Sequence, residues 1–194
     1  MTNKGKGCLS VFTPNLNTMV LIKHFFSTFF FSLLLVSCSA QQPADRATCQ
    51  NPEFDKKVAS WLKFSVPTVS PDDVKKMPDV LLLDAREREE FNISHIPKAV
   101  FIGYNHFEKE TLKDVPKDKP IVVYCSIGYR SEKMGEKLQK MGFTKVHNLY
   151  GSIFEWVNQG NPIVDSQGGL TKKVHTFNHN WSKWVDKEKA EKVW

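Results

Sequence analysis

Cysteine is scarce in this chain of 194 residues, and its four cysteines form no obvious disulfide framework. Cys8 and Cys38 lie in an N-terminal leader region, whereas Cys49 and Cys125 lie beyond it. An oxidising compartment would permit a Cys49–Cys125 disulfide, but we expect none because it would block the loop that follows Cys125. Histidines, cysteines and carboxylates are nowhere grouped at the spacing of metal ligands, so the sequence predicts no metal site.

Acidic residues are absent from the first 37 positions, which contain Lys4, Lys6 and Lys23. Without this segment the formal net charge falls from +6 to +3, so the basic character of the chain comes partly from its leader. The remaining residues contain no cluster that resembles a basic nucleic-acid-binding face. We therefore expect no nucleic-acid partner.

The leader has the pattern of a secretory signal. After Met19 and Lys23, residues Phe25 to Val36 are almost entirely apolar, and small residues follow. The apolar run is short for a membrane span. Residues preceding Met19 contain Pro14 and polar side chains, which favours Met19 as the true start.

The end of the leader, Leu35-Val36-Ser37-Cys38, resembles the lipobox of bacterial lipoproteins. That resemblance implies removal of residues 1–37, lipidation of Cys38 and a membrane-anchored protein facing the periplasm. Ser39 stands where an acidic residue would signal retention at the inner membrane, which favours the outer membrane. The alternatives are an ordinary signal peptide cut after Ala40 and an uncleaved anchor.

Beyond the leader, strand and helix patterns alternate. Short apolar runs at 80–83 and 121–124 are typical of strands buried on both faces of a parallel sheet, and a further strand is predicted at 146–149. Weaker strands are predicted at 68–69 and 99–102. Intervening helical segments imply a three-layer α/β/α sandwich around a mainly parallel sheet of about five strands. The predicted helices or helical turns are 71–77, 87–91, 107–112, 131–141 and 153–158.

Three segments follow the leader. Residues 38–66 are predicted to form a tether and a helix that begins with the N-cap Asn51 and Pro52. Residues 67–165 form the domain, and residues 166–194 form an extension. In the extension we expect an edge strand at 174–177 and a final helix with an apolar face. That helix either docks on the domain or binds a partner or a membrane surface. Its predicted apolar face consists of Trp181, Trp184 and Val185.

The most informative segment is Cys125–Ser131, called the cysteine loop below. It connects a buried strand to a helix, so the thiol of Cys125 faces unpaired helix N–H groups that stabilise a thiolate and accept an anion. Gly128 permits the positive φ that such a loop needs. Arg130 adds a permanent charge and a fork of donors suited to an oxyanion. This combination indicates a nucleophile with an anionic substrate.

Four blocks together resemble the single-domain rhodanese family over about residues 67–165. Leu83-Asp84-Ala85-Arg86 with Glu90-Phe91 resembles the first block, and His95-Ile96-Pro97 with Ala99 the second. The cysteine loop resembles the third block, and Gly151 with Phe154, Trp156, Gly160 and Pro162 the fourth. The chain departs from the family where Ser94, Lys98 and either Tyr150 or Ser152 replace a usual glycine.

The resemblance implies a sulfurtransferase that moves a sulfane sulfur from thiosulfate or a persulfide, through a persulfide on Cys125, to cyanide or a thiol, without a cofactor. The sulfur-binding loop residues would be Ser126, Ile127, Gly128, Tyr129, Arg130 and Ser131. The structural residues would be Asp84, Arg86, Glu90 and His95.

Two other functions compete with this interpretation. A related class, the cysteine phosphatases and arsenate reductases, uses a loop one residue longer than the six residues from Cys125 to Arg130. The shorter ring favours a persulfide over a tetrahedral oxyanion. A non-catalytic module that binds sulfur, an anion or a partner protein remains the alternative to the enzyme.

Overall fold

Five parallel strands build the central sheet of the computed structural model, which describes residues 42–194. Its strand order is β1-β5-β4-β2-β3. The mainly parallel five-stranded α/β fold predicted from the sequence is thereby confirmed. The strands are β1 (Thr68–Val69), β2 (Leu81–Asp84), β3 (Val100–Phe101), β4 (Ile121–Tyr124) and β5 (Val146–Leu149).

The predicted leader, including Cys8, Met19 and Cys38, lies outside the described residues. Within residues 42–194, no helix combines the length and the apolar character needed to cross a membrane.

Strand β4 shows why the sheet is covered on both faces. All four of its side chains are fully buried, because successive residues point to opposite faces. Val122 and Tyr124 enter one core cluster, whereas Ile121 and Val123 enter the other. The helices are α1 (Pro52–Ala59), α2 (Pro71–Lys76), α3 (Arg88–Ile93), α4 (Tyr129–Lys140) and α5 (Ser152–Asn158), with a 3-10 turn at Lys109–Leu112.

Different helices cover the two faces of the central sheet. Helices α1 and α5 bury Phe54 and Ile153 against one face of the sheet, and α4 buries Met134 and Leu138 against the other. Asn51 caps α1 as predicted, since its side chain accepts the N–H groups of the next turn. The N-terminal helix is therefore part of the core that supports the sheet.

The extension differs from the sequence-based expectation. Segment 174–177 does not join the central sheet: β8 (Lys173–His175) pairs in parallel with β9 (Glu191–Val193) in a separate two-stranded sheet. A second small sheet joins β6 (Ile163–Val164) to β7 (Leu170–Thr171).

The predicted final helix is also wrong, because α6 is a single turn, His179–Ser182. The side chain of Asn158 binds the backbone at Trp184 and Asp186, which removes groups that a continuing helix would need. Val185 is buried and Trp181 and Trp184 pack on the core, so the apolar pattern reflects docking on the domain.

Candidate active site

Cys125 lies at the carboxyl end of central strand β4, where ligands bind in open parallel sheets. Its side chain is only 1% exposed. Gly128 has φ of +123°, as the sequence predicts, and its N–H donates to the Cys125 Sγ over 3.2 Å. Helix α4 starts at Tyr129, two residues before the predicted start, so its N-terminus faces the sulfur.

The side chains of Ser131 and Asn148 support the cysteine loop through hydrogen bonds. Ser131 Oγ lies 3.6 Å from the Cys125 Sγ and 2.7 Å from the Asn148 Oδ1. The Asn148 amide also donates to the carbonyl of Gly128 over 3.0 Å. Sequence reasoning missed Asn148, although an asparagine inside a predicted core strand is a recognisable signal of a specific hydrogen-bond role once buried, and the structure buries it fully.

The glycine replacements have a structural explanation at two positions. Ser152 has φ of +52° and Lys98 has φ of +65°, a left-handed conformation that glycine adopts at little cost. Ser152 also accepts the backbone N–H of Cys125 over 3.0 Å. The serine thus contributes a contact to the nucleophile that glycine would lack.

Both terminal nitrogens of the Arg130 guanidinium bind the carboxylate of Glu90. Its Nη1 and Nη2 donate to the two oxygens of Glu90 over 2.6 and 2.9 Å, and Nη2 also donates to the Ser126 Oγ over 2.9 Å. Burial raises the pKa of Glu90, but the bonds and charge of Arg130 outweigh burial and lower that pKa to about 2. Glu90, predicted as a structural residue, therefore contacts the cysteine loop directly.

The same arginine acts on the nucleophile. Burial raises the pKa of the Cys125 thiol, but the charge of Arg130 opposes it, together with hydrogen bonds from Ser131 and Gly128. The net result is a pKa below the ordinary value for a thiol. A larger thiolate fraction at neutral pH is the property that nucleophilic cysteines require.

The remaining predicted support residues hold the segment after β2. Arg86 is fully buried, and its Nη2 donates to the Asp84 Oδ2 and to the Ser94 carbonyl, each over 2.6 Å. The Nδ1 of His95 lies 3.1 Å from the carbonyl of Phe91, and the two rings stack with their centroids 3.9 Å apart. These contacts fix the segment that carries Glu90.

An aromatic cavity of about 250 Å³ opens beside Cys125. Sequence reasoning missed it, because three of its four aromatic rings come from segments distant from the loop. The aromatic residues of this cavity are Trp61, Tyr129, Phe177 and Trp181; Cys125, Ser126, Ile127 and Arg130 complete the lining.

His175, from the extension, also approaches the site. Its Nδ1 lies 3.8 Å from Glu90 and accepts the backbone N–H of Phe177 over 3.1 Å. Burial lowers the pKa of His175, and the attraction of Glu90 only partly opposes this effect. The acceptor role of Nδ1 fits a neutral imidazole.

The other described thiol, Cys49, is also free and buried but lies in an acidic setting. Burial, followed by the charges of Glu155 and Asp55, raises its pKa far above the ordinary value. Among residues 42–194, no group of three or more histidines, cysteines and carboxylates could hold a metal ion.

The fold and site define an α/β domain with a low-pKa cysteine between a strand end and a helix N-terminus. The sequence profile described as "Rhodanese-like domain" matches residues 70–159. A sulfurtransferase from Allochromatium vinosum is 37% identical over 90 residues, which cover 46% of this chain and 83% of that protein. The chain belongs to the rhodanese-like domain family.

Other relatives match over a smaller part of their length. A tRNA uridine(34) hydroxylase from Escherichia fergusonii is 32% identical over 123 residues, which cover 58% of this chain and 34% of that protein. The solved thiosulfate sulfurtransferase from Pseudomonas aeruginosa has a TM-score of 0.47 and 25% identity, with coverage of 50% of this chain and 20% of that one.

Proposed function

We propose that this protein is a sulfurtransferase that carries sulfane sulfur on Cys125. The supporting observation is the buried thiol of lowered pKa, held by the Gly128 N–H and Ser131 and exposed to the charge of Arg130. A thiolate needs no general base to attack a weak sulfur–sulfur bond, and the proposal assigns none.

The first half-reaction loads the enzyme. The Cys125 thiolate attacks the outer sulfur of thiosulfate, the sulfur–sulfur bond of the donor breaks, and sulfite leaves with the bonding pair. The product is the Cys125 persulfide anion, and no proton moves. The helix N-terminus and Arg130 hold the negative charge that now resides on the outer sulfur.

The second half-reaction returns the enzyme to its starting state. Cyanide or a thiolate attacks the outer sulfur of the persulfide, and the Cys125 thiolate leaves. The products are thiocyanate or an organic persulfide. Because each half-reaction is complete in itself, the scheme requires ping-pong kinetics with a covalent intermediate.

Intact-mass analysis of purified protein with and without thiosulfate tests the proposal. One added sulfur atom, mapped to the peptide of Cys125 and removed by cyanide, is the expected result. Absence of added sulfur at saturating thiosulfate and persulfide donors would support the alternative, a module that binds anions or a partner without turnover.

We further propose that the protein is attached through a lipid on Cys38 to a membrane, facing the periplasm, with the outer membrane favoured by Ser39. Stable attachment takes more than one acyl chain, and the lipoprotein modification supplies several. Cys38→Ser should release the protein from the membrane fraction or stall its processing. The anchor proposal fails if the variant still fractionates with membranes and is cut at the same position.

A further inference from the structure

Three of the four rings of the aromatic cavity come from segments outside residues 70–159, the part that matches the family. Trp61 follows helix α1, whereas Phe177 and Trp181 belong to the extension. Of the four rings, only Tyr129 comes from the cysteine loop. Most of the aromatic wall is therefore an addition to the rhodanese-like domain, placed directly beside Cys125.

Three of the four rings form a continuous apolar wall. Trp61 meets Tyr129 and Trp181 edge to face, with centroid distances of 5.7 and 5.4 Å. Trp61 and Phe177 are nevertheless 43% and 53% exposed. An exposed apolar patch inside a concave site beside a nucleophile indicates a ligand-binding surface.

Phe177 is held in place at a conformational cost. Its φ of +66° is rare for a bulky residue. The bond from its N–H to His175 stabilises this conformation, and the ring centroid lies 5.4 Å from the guanidinium carbon of Arg130. Strained residues of this kind are concentrated at functional sites.

The size and charge of the cavity define its ligand. An apolar cavity of about 150 Å³ holds a benzene ring, so a cavity of about 250 Å³ also has room for a small polar head. The Nζ of Lys57 lies 5.5 and 5.7 Å from the ring centroids of Trp61 and Trp181. Glu90 neutralises part of the Arg130 charge, but Arg130 is the member of that pair that lines the cavity, so together with Lys57 it favours an anion over a cation. Thiosulfate alone would leave the aromatic wall facing water.

We propose that the sulfur donor is an organic sulfane-sulfur anion with an apolar or aromatic substituent, an inference that rests on the proposed sulfurtransferase function. The substituent binds the aromatic cavity and the anionic head faces Arg130. With a thiosulfonate, R–SO₂–S⁻, the Cys125 thiolate attacks the outer sulfur and the S–S bond of the donor breaks. The sulfinate R–SO₂⁻ leaves with the bonding pair, and the Cys125 persulfide anion remains.

The test compares benzenethiosulfonate with methanethiosulfonate, which has the same head but a small substituent. Wild-type protein should prefer the benzene compound in kcat/KM by at least about tenfold, the selectivity available to one apolar group in a pocket. Phe177→Asn, which tolerates the left-handed backbone, and Trp181→Ala should each reduce the preference to about threefold or less. Trp194→Ala is the matched control, since this exposed ring contacts His179 and does not line the cavity.

The outcomes separate the two proposals. Turnover of thiosulfate and both thiosulfonates without a preference, or a preference that Phe177→Asn leaves intact, overturns the assignment of the cavity and leaves the sulfurtransferase standing. No sulfur transfer from any donor overturns both. Because Phe177 is half exposed, Phe177→Asn retains the fold, and circular dichroism verifies this.

Discussion

Cys49 and Cys125 are both free and buried, yet the pKa values of their thiols move in opposite directions. Cys49 lies beside Glu155 and Asp55, whose charges add to the effect of burial. Cys125 lies at a helix N-terminus beside Arg130, whose charge opposes burial. Cys49 is also the more exposed of the two, at 8% against 1%. Local charge and hydrogen bonding, rather than solvent exposure, therefore distinguish the thiol of lowered pKa from the thiol of raised pKa.

The largest expected effect is the difference in activity between serine substitutions at the two cysteines. Cys125→Ser should lower thiosulfate:cyanide transfer by on the order of 10³-fold or more, because it removes the nucleophile and little volume. Cys49→Ser should retain activity within about twofold. Steady-state rates and thermal melting curves are measured together. Activity of folded Cys125→Ser near the wild-type level would show that another group carries the sulfur.

Alkylation tests the comparison without turnover. Iodoacetamide at neutral pH should modify Cys125 at least about 100-fold faster than Cys49, since only the thiolate reacts and each pKa unit changes its fraction up to tenfold. Peptide mapping over time gives both rates in one sample. If exposure governed reactivity, Cys49 would react first, and the explanation by local charge would be wrong.

Substitutions of Arg130 distinguish the effect of its charge from the effect of its hydrogen-bond geometry on the cysteine loop. We expect Arg130→Lys to lose nearly as much kcat/KM as Arg130→Ala, about five- to 100-fold, because lysine cannot bind both Glu90 oxygens and leaves buried groups without partners. Arg88→Lys, on the exposed pair with Glu108, is the matched control. A lysine variant close to wild type, with activity that declines as salt rises, would show that charge alone matters.

The smallest effects concern two buried carboxyl groups, Glu90 and Glu155. The pKa of Glu90, about 2, lies below its unfolded value near about 4.3, so ionised Glu90 stabilises the fold above pH 4.3 and this contribution is lost as pH falls toward 2. Burial raises the pKa of Glu155, so its ionisation costs stability as pH rises above about 4.3.

At pH 7, Glu90→Gln should therefore lower the free energy of unfolding by up to about 3 kcal/mol, a difference that vanishes near pH 2. Glu155→Gln should raise it by about 1 kcal/mol or less. Urea unfolding from pH 2 to 7 measures both variants. Equal signs for the two substitutions at pH 7 would contradict the assigned environments.

The parts of the molecule that sequence predicts well depend on local signals. Strand β4 is a run of four apolar residues, and Gly128 marks the turn that the cysteine loop requires. The early end of the final helix could not be predicted, because the side chain of Asn158, in helix α5, binds the backbone that would continue it. The aromatic cavity could not be predicted for the same reason: Trp61 and Phe177 line one cavity only through tertiary packing, and no spacing in the sequence relates them.

Ser152 restricts how this site can vary in evolution. A residue there must tolerate a left-handed backbone, which disfavours branched and bulky side chains. The serine hydroxyl also accepts the Cys125 N–H and donates to the Leu149 carbonyl, and glycine would lose both bonds. Glycine relieves the strain and serine retains the contacts, so neutral exchange between these two residues is the substitution that natural variants should show at this position.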